Sequence, residues 1–366
     1  MPYRIGIDAR IYGAKKGGIG RYTEELLRAL QSIDRVNNYV VFMRAGDIDS
    51  YSATSSRVEK VVADVQEYTL AEQIQMPLLI RKAGIDLLHV PHINAPYFYR
   101  GPLVLTVHDL IEYKYDRSGA TSLPKVWYRG KRVLMRKALP NILERANALI
   151  AVSGYTRKDT QKIFPSLSLP MTVIPHGMRR YASCKTTAPV RFPYILYVGS
   201  AAPHKNVQRL AMAYRKSVEQ DNIQEHFVMV LPDNFHTTRL LSLIKQFPLR
   251  VQERIHVLGN LYDEELIPYL RHAKIFVYAS LEEGYGLPMV EAMAQGTPVL
   301  AGFVGILPEL VGTQMHYWNP RHIPTMRKTL VHVLRNTKSS PVPSLPSWRE
   351  VARKTVGIYK NVLKKI

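Results

Sequence analysis

Short apolar runs rich in β-branched residues recur along this chain, each pair spaced to leave room for one helix. That alternation decides most of what the chain can fold into. RIGID (4–8), YVVFM (39–43), KVVAD (60–64), DLLHV (86–90) and LVLTV (103–107) read as buried strands, and ALIAV (148–152) and MTVIP (171–175) continue the series. Helical patterns lie between them, such as Arg21–Gln31 and Leu70–Lys82. This alternation of strand and helix predicts a parallel sheet covered on both faces.

A second series follows. Residues 178–193 have no clear period and carry Pro189 and Pro193, which reads as an interdomain linker. YILYV (194–198), FVMVL (227–231), RIHVL (254–258), KIFVYA (274–279) and PVLA (298–301) are then expected strands, with helices near Asn206–Val218, Thr238–Phe247 and Glu264–Arg271. Residues 338–346 are rich in Ser and Pro and end helical structure, and Ser347 can cap a last helix. A chain of 366 residues is too long for one ordinary core and right for two such domains. Ligands of doubly wound domains sit at the C-terminal ends of the strands, so two facing domains imply a cleft between them.

Composition narrows the setting. A single cysteine, Cys184, excludes a disulfide framework and a multi-cysteine zinc site, and predicts a reducing, cytoplasmic setting. No apolar run approaches the roughly 18 residues of a spanning helix, and MPYRIGID carries Arg4 and Asp8 too early for a signal peptide. The outlier is charge. Fifty Lys and Arg against 29 Asp and Glu give a formal +21, a surface that attracts polyanions, anionic lipid or phosphorylated ligands.

The segment 280–301, SLEEGYGLPMVEAMAQGTPVLA, carries the strongest chemical signal. An expected strand ends near Ser280. Gly284 and Gly286 follow two acids, and Pro288 stands at a first helical position. Glycines let backbone N–H groups approach an anion, and a helix N-terminus adds free donors and a favourable dipole. Glu283 lies before this helix and Glu291 one turn inside it. With a diphosphate at the helix start, one carboxylate would face a sugar and the other a ribose, since carboxylates accept from vicinal hydroxyls. A helix cap plus an exposed helical acid is the plainer reading of the same spacing.

These residues, Glu283-Gly-Tyr-Gly-Leu-Pro-Met-Val-Glu291, resemble the paired-glutamate motif of retaining glycosyltransferases of family 4. The resemblance spans nearly the whole chain. RIGIDARIYGAKKGGIGRY (4–22), LTVHDLI (105–111), ALIAVSGYTRKD (148–159), VIPHGM (173–178), ILYVGSAAPHKN (195–206), ILPELVG (306–312) and SWREVA (347–352) match its motifs in order. It implies an α/β fold of the GT-B type, two Rossmann-like doubly wound domains facing across a cleft. Residues 1–185 would form an acceptor-binding domain and 190–345 a donor-binding domain. The last helix, about 347–366, would pack back onto the first.

The resemblance also implies roles. Glu283 would bind the donor sugar, Glu291 the ribose, and backbone around Gly284, Gly286 and Leu287 the diphosphate. Lys205 would pair with phosphate and stabilise the leaving group. Gly18 would let the first domain's backbone approach the donor phosphate, and His108 would touch the sugar beside the anomeric carbon. By itself, a strand-end His108 reads more often as a structural partner of Asp109 than as a functional group. Two positions depart from the pattern: Ser200 stands where many members carry arginine, and His204 precedes Lys205 where an arginine often compensates. Gly154 replaces the usual glutamate after a serine.

The implied reaction moves a hexose, with mannose the first expectation, from a nucleotide-diphosphate sugar to a glycan or lipid-linked acceptor, without metal or further cofactor. GDP-mannose is the first expected donor and a UDP-sugar the second. A degenerate nucleotide-sugar-binding protein without turnover is the alternative, and no nucleic-acid module accompanies the charge. Finally, residues 114–145 carry nine Lys or Arg against two acids. Lys125, Trp127, Arg129, Lys131, Arg132, Arg136 and Lys137 would suit a helix lying on an anionic membrane, which predicts peripheral attachment to the inner face of the cell membrane.

Overall fold

The computed structural model describes residues 2–13, 16–67, 69–114, 125–178, 187–311, 315–336, 340, 342 and 344–365, with backbone alone at 125–129 and 131. They form two compact units: one contains the chain up to Met178 together with Leu345 onward, the other the residues between. The domain boundary expected at 185, and Cys184 with it, lies outside the described residues.

In the first unit the elements run β1 (Arg4–Asp8), α1 (Gly17–Ile33), β2 (Asn38–Met43), β3 (Val58–Val62), α2 (Leu70–Ala83), β4 (Leu87–Val90), β5 (Leu103–Val107), α3 (Ile111–Lys114), α4 (Lys125–Arg145), β6 (Ala148–Ala151), α5 (Gly154–Ile163) and β7 (Met171–Val173). All pairings are parallel, in the order β3-β2-β1-β4-β5-β6-β7. The two-residue period of the strands divides their side chains between two cores. Ile5, Ile7, Tyr39, Val41 and Met43 point to one face; Val40, Phe42, Leu103, Leu105 and Val107 point to the other. The first face is covered by α1 and by the last helix of the chain, and the second by α2 and α4.

The second unit repeats the plan with β8 (Tyr194–Val198), α6 (Val207–Asp221), β9 (His226–Val230), α7 (Phe235–Ile244), α8 (Leu249–Gln252), β10 (Ile255–Leu258), α9 (Asp263–His272), β11 (Ile275–Tyr278), α10 (Leu287–Ala294), β12 (Val299–Gly302), α11 (Leu307–Val311), β13 (His316–Trp318) and α12 (Ile323–Arg335). Its parallel order is β10-β9-β8-β11-β12-β13. In both sheets the order of strand addition reverses beside the first strand, between β1 and β4 and between β8 and β11. Such switch points hold ligands at the C-terminal strand ends.

The chain then returns to the first unit through α13 (Trp348–Leu363). Ser347 caps it: the hydroxyl accepts from the Glu350 N–H while the Glu350 carboxylate accepts from the Ser347 N–H at 2.6 Å. Such a cap stabilises by about 1 kcal/mol. The inner face buries Trp348, Val351, Ala352, Tyr359 and Val362 among α1 and the sheet. Each large side chain so buried stabilises by roughly 1.5–3 kcal/mol, so this helix is part of the first unit's core.

Some expected elements differ. KVVAD was expected to be a buried strand, but β3 is an edge strand with Glu59, Lys60 and Val62 exposed. An edge has a partner on one side only, and charged side chains there discourage further pairing. Helix α1 starts at Gly17 rather than Arg21, so three glycines sit in its first turns. Among the described residues no helix is long and apolar enough to cross a membrane.

Candidate active site

The second unit gathers its chemistry at the ends of β8 and β11. After β8 the chain makes one 3-10 turn, Pro203–Lys205, and enters α6 through Asn206. Asn206 has φ 59° and is buried, an unusual conformation for a non-glycine residue. Its side-chain amide accounts for it, donating to the carbonyls of Ala279 at 3.0 Å and Pro320 at 2.6 Å. The turn is thereby tied to the end of β11, and the Leu281 N–H binds the His204 carbonyl at 2.7 Å. Ser200 is held by Tyr197, whose buried hydroxyl donates to the Ser200 carbonyl at 2.9 Å.

This tether sets Lys205 against Glu283. The ammonium lies 2.6 Å from Glu283 Oε1, with side-chain exposures of 19% and 7%. Partial burial makes this pair stronger than a surface ion pair, because water screens it less. Tyr278, the last residue of β11, completes the group: its hydroxyl is 3.4 Å from Lys205 Nζ, and the ammonium sits 5.7 Å from its ring centroid. Burial first, then the negative charge of Glu283, pushes the Tyr278 phenol well above its ordinary range, and Glu291 adds to the effect. Tyr278 thus stands within the field of both acids. The sequence reading passed over it as an apolar strand residue.

Two glycines shape the loop that carries Glu283. Gly286 has φ 84°, which an L side chain rarely adopts, and Pro288 follows inside the first turn of α10. Gly305, at φ 58°, packs so closely that a Cβ there would collide with the Glu283 carbonyl oxygen. The expected helix stop also falls in place: α10 ends at Ala294, and Gly296 has φ 80°.

In the first unit His108 follows β5 and is 8% exposed. Its Nε2 donates to the Pro91 carbonyl at 2.9 Å, which leaves Nδ1 as the acceptor. The plainer reading made it a partner of Asp109, whose carboxylate instead accepts from the Ile111 N–H at 2.9 Å. Tyr22 stands edge-on to His108 at 4.7 Å between centroids, and His176 lies 5.3 Å away. Trp348 of α13 closes the same cluster against Tyr22. Below it His89 bridges Tyr359 at 2.6 Å and Thr106 at 2.9 Å. Burial lowers all four histidines of this region: His108 and His92 to about 4, His89 to about 3, and His176 well below its ordinary value. They are neutral at pH 7.

Beside them Arg10, fully buried, bridges Asp8 and Glu72, each at 2.6 Å. Asn94 donates to Glu72 as well, at 2.9 Å. This triad ties the end of β1 to α2 and the loop after β4. Gly18 is exposed in the first turn of α1. Of the basic stretch, Arg136 and Lys137 are exposed and Arg132 half-buried, and the Arg136 guanidinium lies 5.6 Å from the Tyr113 ring centroid. The side chains of Lys125, Trp127, Arg129 and Lys131 lie outside the described residues.

Two Rossmann-like units joined by a returning C-terminal helix, with a cation and acid at the mouth of the second sheet, have the GT-B plan of glycosyltransferases. Residues 16–179 match the family described as Glycosyltransferase Family 4, and residues 182–318 match glycosyl transferases group 1. The chain belongs to the family 4 glycosyltransferases. It is 27% identical over 356 residues to O-antigen chain mannosyltransferase B of Escherichia coli, which covers 92% of this chain and 89% of that protein. It is 25% identical over 323 residues to O-antigen chain mannosyltransferase RfbU of Salmonella typhimurium, 84% of each. In fold it is similar to a sucrose-phosphate synthase from Thermosynechococcus elongatus, with a TM-score of 0.72, 19% identity and all of both chains covered.

Proposed function

We propose that this glycosyltransferase moves mannose from a nucleotide-diphosphate donor, GDP-mannose before a UDP-sugar, to a glycan or lipid-linked acceptor in polysaccharide synthesis. The observation that carries the reading is the Lys205–Glu283 pair beside the left-handed Gly286 at the start of α10. Without donor, each group neutralises the other. A donor would offer each a new partner: phosphate oxygens for Lys205, sugar hydroxyls for Glu283. The cation would then be released to the place where negative charge develops, which is where electrostatic stabilisation acts on the rate. Glu291, one turn into α10, would accept from the ribose hydroxyls. Relatives named as O-antigen mannosyltransferases support mannose as the sugar.

The transfer proceeds with retention and without metal. The bond from anomeric carbon to phosphate oxygen breaks, and positive charge develops on the carbon. The acceptor oxygen bonds on the same face, and its proton passes to the departing phosphate oxygen. The protein's part is positioning and charge stabilisation. Neutral His108 would hydrogen-bond the sugar rather than carry a proton. The first unit would hold the acceptor, and the basic stretch 114–145 would hold the enzyme at the inner face of the cell membrane.

The test is a thermal-shift screen against GDP, UDP, ADP and their sugars, because a ligand that binds the native state raises Tm. Stabilisation by GDP and GDP-mannose above the others is expected. NMR of the product then reads the anomeric configuration, and chelator should leave the rate unchanged. An inverted product, or loss of rate with chelator, refutes the mechanism; preference for another nucleotide refutes the donor.

A further inference from the structure

Helix α2 is apolar on both sides, and among the described residues only one side has a partner. Its inner face puts Met76 and Ile80 into the core and buries Glu72 against Arg10. Its outer face places Leu70, Ile74 and Leu78 on one stripe at a four-residue spacing, and they are 79%, 63% and 60% exposed. In the first turns the ordinary polarity of a surface helix is inverted, the acid inside and the leucine outside. A helix that is apolar all round is normally buried all round.

The stripe is not isolated. Gln73 accepts from the Tyr97 N–H, and Arg145 of α4 donates to the Pro96 and Tyr97 carbonyls. These bonds fix the 96–98 loop to α2 on one side and α4 on the other. The loop carries Phe98, 57% exposed, and α4 exposes Val133 and Leu134. Because α2 and α4 cover the same face of the sheet, this is one outer layer. Among the described residues its exposed cations are Arg81, Lys82, Arg100, Arg136 and Lys137, against one exposed acid on these elements, Glu144.

We infer that this layer docks on an anionic lipid bilayer. Leu70, Ile74, Leu78 and Phe98 enter the boundary between headgroups and acyl chains, while the surrounding cations meet lipid phosphates. Charge selects this occupant. Apolar side chains ringed by Lys and Arg suit an anionic interface. A second copy of a chain with net charge +21 would bring like charge against like. The inference deepens the membrane reading of residues 114–145 by adding insertion to attraction, and it is independent of the donor chemistry.

Vesicles of phosphatidylcholine, alone or mixed with phosphatidylglycerol, provide the test. The wild-type protein should co-sediment with the mixed vesicles and hardly with the neutral ones. In Phe98→Trp, the added indole's emission should move to the blue on mixed vesicles and be quenched by brominated lipid. Leu70→Ser, Ile74→Ser and Leu78→Ser together should weaken binding at least about tenfold, since three apolar side chains lose their burial. Unchanged Tm and nucleotide shift in that variant establish that both units remain folded. Arg81→Gln, Lys82→Gln and Arg100→Gln should remove much of the salt-sensitive part.

Binding without a blue shift, with the triple serine variant unaffected, overturns the α2 surface and leaves the basic stretch as the contact. No binding by wild type overturns both. A wild-type dimer in sedimentation that the triple variant abolishes makes the face an interface between copies. A nucleotide screen that fails while vesicles bind refutes the donor reading alone.

Discussion

Lowering the pH from 7 to 5 should destabilise the first unit by roughly 7 kcal/mol. The argument rests on His89, His92, His108 and His176, which burial holds neutral at about 3, about 4, about 4 and well below the ordinary value. In the unfolded chain each titrates near 6.5. A group whose folded pKa is depressed gives stability that is complete above the unfolded pKa and is lost as pH falls. Between pH 7 and 5 each unfolded-state histidine takes up most of a proton that its folded counterpart refuses, which is a little under about 2 kcal/mol per residue. Four such residues give a loss comparable to the whole stability of an ordinary domain, 5–15 kcal/mol. Trp348 reports the first unit and Trp318 the second. Guanidinium unfolding of a Trp127→Phe, Trp318→Phe protein should therefore show stability rising with pH at about 1.4 kcal/mol per unit per proton, for three to four protons near pH 5.5. His92→Gln should lower that slope by about one proton. A slope below one proton would refute the claim that these rings are buried and neutral.

Glu283→Gln should mainly reduce turnover and Glu291→Gln should mainly weaken nucleotide binding; native-folding variants with unchanged kinetics would end both assignments. His108→Ala should leave calorimetric nucleotide affinity intact and reduce transfer by tens-fold or more, whereas equal loss of both would give this residue a structural role. Gly305→Ala should push a methyl group into the Glu283 carbonyl. It should destabilise the second unit by about 1–3 kcal/mol in chemical unfolding and lower turnover with it, and a neutral result would mean the loop yields freely.

Much of the fold was legible because parallel strands buried on both faces write themselves as apolar runs. YILYV and LVLTV became β8 and β5 with their bounds unchanged. Boundaries moved where tertiary contact overrode propensity. Gly17, Gly18 and Gly20 read as a loop, yet they begin α1; the close approach of Gly13 and Gly20 backbone leaves no room there for a side chain. β3 was misplaced by pattern because a run of valines does not reveal which strand will stand at the edge. Within the site, Glu283 and Lys205 stood out by spacing and likeness. Tyr278 and Asn206 did not, since their part depends on contacts across some 73 residues of chain. The outer stripe of α2 was invisible for a simpler reason: leucines at helical spacing look the same whether a core or a bilayer receives them.

The return of α13 to the first unit has a bearing on synthesis. A growing chain usually folds its N-terminal domain first. Here Tyr22, Leu26 and the α1 face of the sheet wait for Trp348, Val351 and Tyr359, which leave the ribosome after the whole second unit. The second unit, continuous between its linkers, has all its strands available earlier. Emergence order is thus reversed for completion: the unit made first closes its core last. Until α13 arrives, the part of that sheet face beside α1 which it covers stays open to chaperones and to aggregation.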